Sequence, residues 1–184
     1  MEYVAVAFTV ICIYLAGRNN IHTWWTGIVA CIAYGLVFYD AKLYADMVLQ
    51  GFFIGTGILG WVMWHRQDRT TEKPITTVST PVMISVVVIG ALVTFAYSEA
   101  LRQMTDAAAP FWDSSILVSS IAGQILLMKR KLENWLVWIV VNAIPVPLYM
   151  SRELYLSAAL YSVFLVHAVY AFTKWHDAYR RQTV

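Results

Sequence analysis

Seven long apolar stretches follow one another along the chain, and their lengths limit what it can fold into more than any other feature. They run near residues 3–17, 22–39, 43–64, 81–101, 111–128, 133–150 and 154–174, the first and fifth being short. A hydrocarbon core of about 30 Å is crossed by roughly 20 apolar residues in helix, so each stretch is a candidate span. The runs are continuous rather than alternating, which argues against a transmembrane barrel. Composition removes the soluble alternative. Of the 184 residues, 60% are hydrophobic and 13% are charged, against about 45–50% and about 25% in soluble domains. Too few polar residues remain to cover a water-facing surface. The expectation is an all-α integral membrane protein with seven transmembrane helices. The first stretch ends near Ala16-Gly17, as a signal peptide would, but the chain opens Met1-Glu2 without a basic region, so a retained helix is expected.

The connections are short except for the polar segment 65–80, which divides the spans three, one and three. Lysine and arginine in the connections set orientation. Seven spans place Arg18, Arg66, Arg69, Lys73, Lys129, Arg130, Lys131, Lys174, Arg180 and Arg181 on one side, and only Lys42, Arg102 and Arg152 on the other. An even number of spans scrambles this split. The amino terminus is expected outside and the carboxyl terminus in the cytoplasm of a bacterial inner membrane. A net charge of +2 is too small to suggest a nucleic-acid partner. Cys12 and Cys31 both lie in apolar runs, with neither disulfide nor metal-ligand spacing.

Shifted by 111 residues, the first three spans align with the last three. Trp24 falls on Trp135, Ile28-Val29 on Ile139-Val140, Leu43-Tyr44 on Leu154-Tyr155, Leu49 on Leu160, Phe53 on Phe164, and Trp64-His65 on Trp175-His176. These are nine identities without a gap over 19–65. The shift carries three helices past one, so both triplets keep the same orientation. That is a 3+1+3 parallel repeat about an axis along the membrane normal, as in SWEET-type transporters. The implied division is 1–65 for the first repeat, 66–110 for the loop and linker helix, and 111–184 for the second repeat and cytoplasmic tail. Such symmetry suits a solute path between triplets; a duplicated structural bundle with no path is the competing reading.

Polar groups in mid-span are costly and usually face a bundle interior. Asp46 and Gln50 share a face of span three, continued by Phe53 and Gly57. Asp113, Ser120 and Gln124 share a face of span five, and Trp135, Trp138 and Asn142 one of span six. Ser157 and Tyr161 share a face of span seven, with His167 further along. Gln50 and Asn142 either hold helices together, at about 0.6 kcal/mol each, or bind a polar solute. Trp138, one turn from Asn142, favours the solute. Trp24, Trp64, Trp135 and Trp175 read as an interfacial belt. Between the repeats the polar positions differ: Asn142 aligns with Cys31, Trp138 with Gly27, Tyr161 with Gln50, and His167 with Thr56. His167 is either a pH-sensitive gate or a donor to a neighbouring helix. Asp46, Glu99 and Asp113 lie near outer ends as solvated charges. No carboxylate sits at mid-membrane, which favours facilitated diffusion over ion coupling. Gly51-x-x-x-Gly55, followed by Gly57 and Gly60, permits close packing of span three. Pro145 and Pro147 are expected to kink span six just past Asn142.

A phosphate-binding G-x-x-x-x-G-K-[ST] loop, an H-E-x-x-H and a lysine in mid-span seven are all absent. The chain therefore reads as a non-enzyme with no cofactor.

Several of these segments resemble the PnuC family of vitamin transporters. They are Leu43-Tyr44-Ala45-Asp46 with Leu49-Gln50, Gly60-Trp61 with Trp64, Thr105-Asp106-Ala107-Ala108 leading to Pro110-Phe111-Trp112-Asp113-Ser114, Glu133-Asn134-Trp135-Leu136-Val137-Trp138-Ile139 through Asn142, and Leu154-Tyr155 with Leu160-Tyr161. The resemblance covers essentially everything after residue 18. It implies a seven-helix, three-one-three, SWEET-like fold and facilitated uptake of a vitamin, drawn inward by a cytoplasmic kinase that phosphorylates the solute. It implies nicotinamide riboside as the usual substrate, with thiamine and riboflavin carried by related branches. It also implies that Gln50, Trp138 and Asn142 touch the solute. The chain departs from the family at Tyr170, where a glycine is common, and at His167, Pro145 and Pro147.

Nicotinamide riboside and thiamine each carry a cationic aromatic ring, which Trp138 can stack with a cation–π gain of about 0.5–2 kcal/mol. Their hydroxyl or amino groups suit Gln50, Asn142 and Gln124. With Tyr161 and His167 these form the candidate substrate-binding set. Three readings stand beside nicotinamide riboside facilitation: a thiamine carrier, a proton-coupled carrier using His167, and a non-transporting structural subunit. The bilayer is the surrounding partner, and there is room for a homo-oligomer.

Overall fold

The computed structural model describes residues 1–40, 44–68, 74–104, 109–151 and 153–182, with the side chains of 44–46, 68 and 156 outside that description. The helices are α1 (Glu2–Gly17), α2 (His22–Asp40), α3 (Tyr44–Asp68), α4 (Thr80–Met104), α5 (Pro110–Met128), α6 (Asn134–Ala143), α7 (Pro145–Met150) and α8 (Tyr155–Gln182). Among the described residues the only strand-like feature is one isolated bridge, Thr76 with Lys131. The eight segments make seven rods, because α6 and α7 are one expected span broken at Ile144. The break has a backbone cause: Pro145 and Pro147 have no N–H to give to the carbonyls four residues earlier. The ladder stops with Ile144 N–H on the Val140 carbonyl at 3.2 Å.

Two compact units divide the chain, Met1–Pro74 and Ile75–Val184. In the first, α1 packs on α2 and α2 on α3; in the second, α4 packs on α5, α5 on α6, and α6 and α7 on α8. Many buried positions are small or polar: Ala5, Ala16, Thr23, Thr26, Ala30 and Ala33 in one unit, and Ser114, Asn134, Asn142, Ala158, Ala168 and Ala171 in the other, beside a smaller set of large side chains that includes Trp24, Trp64, Leu126, Leu127, Trp135 and Trp175. Most other large aliphatic and aromatic side chains stand outward. On α4 only Thr94 is buried, while Leu92 and Phe95 are 66% and 68% exposed. A soluble fold has the reverse pattern. Helices that pack through small residues and present large apolar faces are built for lipid. Met47–Gln67, Thr80–Met104 and Pro110–Met128 are each long and apolar enough to cross a bilayer; Glu2–Gly17 and Asn134–Met150 are shorter apolar helices.

The tryptophans expected in an interfacial belt are buried between helices instead. Trp24 on α2 meets Trp64 on α3 edge-on at 5.2 Å and 89°, and Trp135 on α6 meets Trp175 on α8 edge-on at 5.8 Å and 79°. Each such pair adds about 0.5–1.5 kcal/mol beyond its area. Small residues permit close packing on the same helices: Gly60 lies against the Trp24 ring and Gly57 against Ile28, and Ala168 and Ala171 are buried on α8. The Gly51-x-x-x-Gly55 motif packs differently from expectation. A Cβ at Gly51 or Gly55 would meet nothing within 4 Å, so the close approach of α3 belongs to Gly57 and Gly60.

The turns that end α1 and α5 match bond for bond. Asn20 N–H donates to the Leu15 carbonyl at 3.0 Å and Asn19 N–H to Ala16 at 2.9 Å, while Lys131 N–H donates to Leu126 at 2.9 Å and Arg130 N–H to Leu127 at 2.9 Å. Asn19 and Arg130 both sit at φ 50°. These are Schellman caps with a left-handed residue closing the helix. Asparagine tolerates that conformation; arginine does so at some cost, and here Arg130 is fully buried.

Part of the polar connection after α3 is a strap rather than a free loop. Ile75 is buried, its N–H donates to Gln182 Oε1 at 3.1 Å, and Val78 N–H donates to Glu133 Oε1 at 2.9 Å. Thr76 N–H donates to the Arg130 carbonyl at 3.0 Å, Leu132 N–H to the Thr76 carbonyl at 2.8 Å, and Lys131 Nζ to the Thr77 carbonyl at 2.9 Å. Residues 75–78 thus tie the α5–α6 turn to the end of α8. Glu133→Ala deprives the Val78 N–H of its acceptor and is expected to destabilise the second unit by about 1–3 kcal/mol, read as a lower melting temperature of the purified protein in detergent. Lys42, Arg69, Lys73, Arg152 and the Thr105–Ala108 motif lie outside the described residues, as does the side chain of Asp46.

Candidate solute-binding site

The candidate site centres on α6, where one helical turn carries Trp138 and Asn142. Asn142 is buried, and its Nδ2 donates to the Trp138 carbonyl at 2.7 Å. A carbonyl only accepts, so this bond fixes which end of the amide faces the backbone. The carbonyl oxygen Oδ1 is then the end left to accept a hydrogen bond. Such an acceptor suits a hydroxyl or amino hydrogen on a solute. The helix breaks two residues later, at Ile144.

Trp138 is half-buried, with one edge against α5. A Cβ built on Gly123 would stand 3.2 Å from Trp138 Cε2 and 3.3 Å from its Nε1. Gln124 follows Gly123 on α5; it is half-buried and has interactions of its own. Tyr161 on α8 packs against Tyr149 of α7 at 5.4 Å and against Phe164 at 6.1 Å. His167 meets Trp135 at 6.1 Å and Tyr170 at 6.3 Å. Six residues along a helix advance about 9 Å and turn about 120° away, so α8 sends Tyr161 toward α7 and His167 toward the Trp135–Trp175 pair. Gln50 lies in the first unit, half-buried on α3, with its Cβ 3.9 Å from where a Cβ on Gly35 of α2 would stand.

The second unit therefore brings Trp138, Asn142 and Gly123 together and assigns Tyr161 and His167 to separate clusters. Tyr170, one of the departures from the family pattern, is 49% exposed, with Lys174 Nζ 5.5 Å from its ring centre. Asp113 is exposed, and Glu99 is bonded to Arg102 and Gln103. Sequence reasoning passed over Gly123. Its signal was a glycine in mid-helix, where alanine is preferred by roughly 0.5–1 kcal/mol.

Residues 1–177 match the family model described as nicotinamide mononucleotide transporter. The chain belongs to this family, the PnuC transporters. Its relatives include the nicotinamide riboside transporter PnuC of Escherichia coli (strain K12), 26% identical over 208 residues and covering 99% of this chain and 87% of the relative. The protein of the same name from Neisseria mucosa is 26% identical over 196 residues, with 98% and 73% covered. That of Haemophilus influenzae is 22% identical over 181 residues, with 94% and 77% covered. The solved crystal structure of the vitamin B3 transporter PnuC overlays with a TM-score of 0.75 at 23% identity, covering 97% of this chain and 81% of that chain. At that identity the overlay speaks for the fold. Membership in the PnuC family makes this chain a multi-pass membrane transporter rather than an enzyme.

Proposed function

We propose that this PnuC-family chain carries nicotinamide riboside across the bacterial inner membrane by facilitated diffusion, and that phosphorylation by a cytoplasmic kinase keeps the product inside. The observation that carries the reading is the Trp138–Asn142 pair on α6: an aromatic face and an amide acceptor one turn apart. A pyridinium ring stacks on the first, and a ribose hydroxyl donates to the second. Gln124, Tyr161 and His167 are proposed as further contacts from the second unit, and Gln50 on the family resemblance alone.

The proposed scaffold is the SWEET-like three-one-three repeat, with 1–65 and 111–184 as its halves and 66–110 between them. Support comes from inside each unit. The Schellman caps at Asn19 and Arg130, and the edge-on pairs Trp24–Trp64 and Trp135–Trp175, recur at the 111-residue shift.

Reconstituted in liposomes, the protein should take up nicotinamide riboside saturably to equilibrium and no further. Uptake should be indifferent to a pH gradient, in the wild type and in His167→Gln alike. Concentrative uptake driven by the gradient and lost in His167→Gln would mean proton coupling; no saturable uptake would mean a structural subunit. The amino terminus is proposed to lie outside and the carboxyl terminus in the cytoplasm. With both native cysteines replaced by alanine, Tyr3→Cys should react with an impermeant maleimide on intact spheroplasts. Arg181→Cys should react only after lysis, and the opposite pattern overturns the orientation.

A further inference from the structure

We infer that Gly123 is the positioning residue for Trp138: its missing side chain lets the pyrrole edge of the indole seat against α5 and so sets the plane on which a solute ring stacks. The inference rests on the reading of Trp138 as a solute contact. Its geometric half stands alone. A Cβ at Gly123 would approach Trp138 Cε2 to 3.2 Å and Nε1 to 3.3 Å, and Val137 Cγ1 to 3.3 Å. Ordinary Cβ contacts begin further out, so alanine here moves the ring or the helix. Val137 crowds the same Cβ, so the ring is not the only group that must give.

The first unit supplies an independent observation. Residues 12 and 27 are the positions that the 111-residue shift carries to 123 and 138. They touch as well: a Cβ on Gly27 would stand 3.0 Å from Cys12 Sγ. In both units this pair of positions forms a close helix–helix contact with room for one side chain of size. The first unit places that side chain on the leading helix, as Cys12, and keeps glycine opposite. The second unit reverses the choice, with glycine on α5 and tryptophan on α6. Cys12 is also held in place, its Sγ donating to the Thr23 carbonyl at 3.2 Å and Thr23 Oγ1 to the Cys12 carbonyl at 2.9 Å. The contact is thus common to the two units, and the exchange of glycine for bulk is what allows an indole at 138. A tryptophan there without a glycine at 123 has no seat.

Glycine in a helix interior is disfavoured relative to alanine, and that gain offsets the crowding a methyl brings at 3.2–3.3 Å. A packing role alone therefore leaves affinity unchanged, whereas a positioning role predicts a fold that tolerates the change and a site that does not. The test uses the full chain in detergent, labelled with ¹⁵N-tryptophan. Its eight tryptophans give separate indole signals, and Trp138→Phe identifies the one that belongs to Trp138. Gly123→Ala should shift that signal, leave the melting temperature within a few degrees, and weaken nicotinamide riboside binding by roughly tenfold, a loss of about 1.4 kcal/mol. In the Trp138→Phe background the smaller ring clears the new methyl, and Gly123→Ala should change affinity less than twofold. An unmoved Trp138 signal overturns the inference. So does unchanged affinity in Gly123→Ala when Trp138→Ala loses binding. If Trp138→Ala itself binds normally, the reading of the site falls and takes this inference with it.

Discussion

Trp138→Ala should weaken nicotinamide riboside binding by about a hundredfold, close to 2.7 kcal/mol, while leaving the purified protein folded. The size follows from what the ring supplies. A cation over an indole face contributes about 0.5–2 kcal/mol, and the apolar area of an aromatic anchor adds to it, so truncated anchors often cost 2 kcal/mol or more. Folding should survive because Trp138 is only half-buried and the edge-on tryptophan pairs lie elsewhere. Trp138→Phe retains an aromatic face and should fall between the two. Calorimetric titration of each variant, with a melting curve beside it, checks the prediction; wild-type affinity in Trp138→Ala removes the residue from the site. Asn142→Ala should also lose binding, by less, because it removes one acceptor and leaves the stacking face in place.

The second large effect concerns assembly rather than solute. Gly60→Ala should destabilise the first unit, and Gly60→Leu should abolish recovery of folded protein. A Cβ at Gly60 would stand 2.5–2.6 Å from Cζ3, Cε3 and Cη2 of Trp24. That ring is buried and is held edge-on by Trp64 at 5.2 Å, so it has nowhere to move. Overpacking of this kind costs about 1–3 kcal/mol, which outweighs the gain of about 1 kcal/mol that alanine brings to a helix. Gly51→Ala and Gly55→Ala are the controls. Both positions are open, so neither change should lower stability. Size-exclusion profiles and melting temperatures in detergent separate the cases, and equal destabilisation by Gly51→Ala would contradict the assignment of the close contact to Gly60.

These two sites show what a single sequence does and does not reveal. The helix count was legible because bilayer thickness sets the length of an apolar run. The break in the sixth rod was legible because a proline's missing N–H is a covalent fact, and it falls at Ile144, beside Pro145. Tryptophans at both ends of matching segments were visible as a repeat. Their burial was not, since an interfacial belt and a helix–helix wedge use the same residue at the same depth. The glycines misled for a related reason. A GxxxG spacing marks a face that permits approach, but the approaching partner decides which glycines are used, and on α2 Ile28 selected Gly57 and Trp24 selected Gly60. The strap at 75–78 carried no local signal at all, because its bonds reach as far as Gln182. The candidate site was half legible. Trp138 and Asn142 follow from helical spacing, whereas Gly123 becomes meaningful only when α5 and α6 are seen in contact. His167 and Tyr161, grouped in one candidate set, serve different clusters, because six residues turn the helix away.

The central claim is that this chain is a nicotinamide riboside carrier whose solute stacks on α6. Side-by-side calorimetric titration of the purified protein with nicotinamide riboside and with thiamine tests it most directly. The account predicts saturable binding of nicotinamide riboside with one site per chain and no heat above dilution for thiamine. Binding of thiamine alone, or of neither, contradicts it.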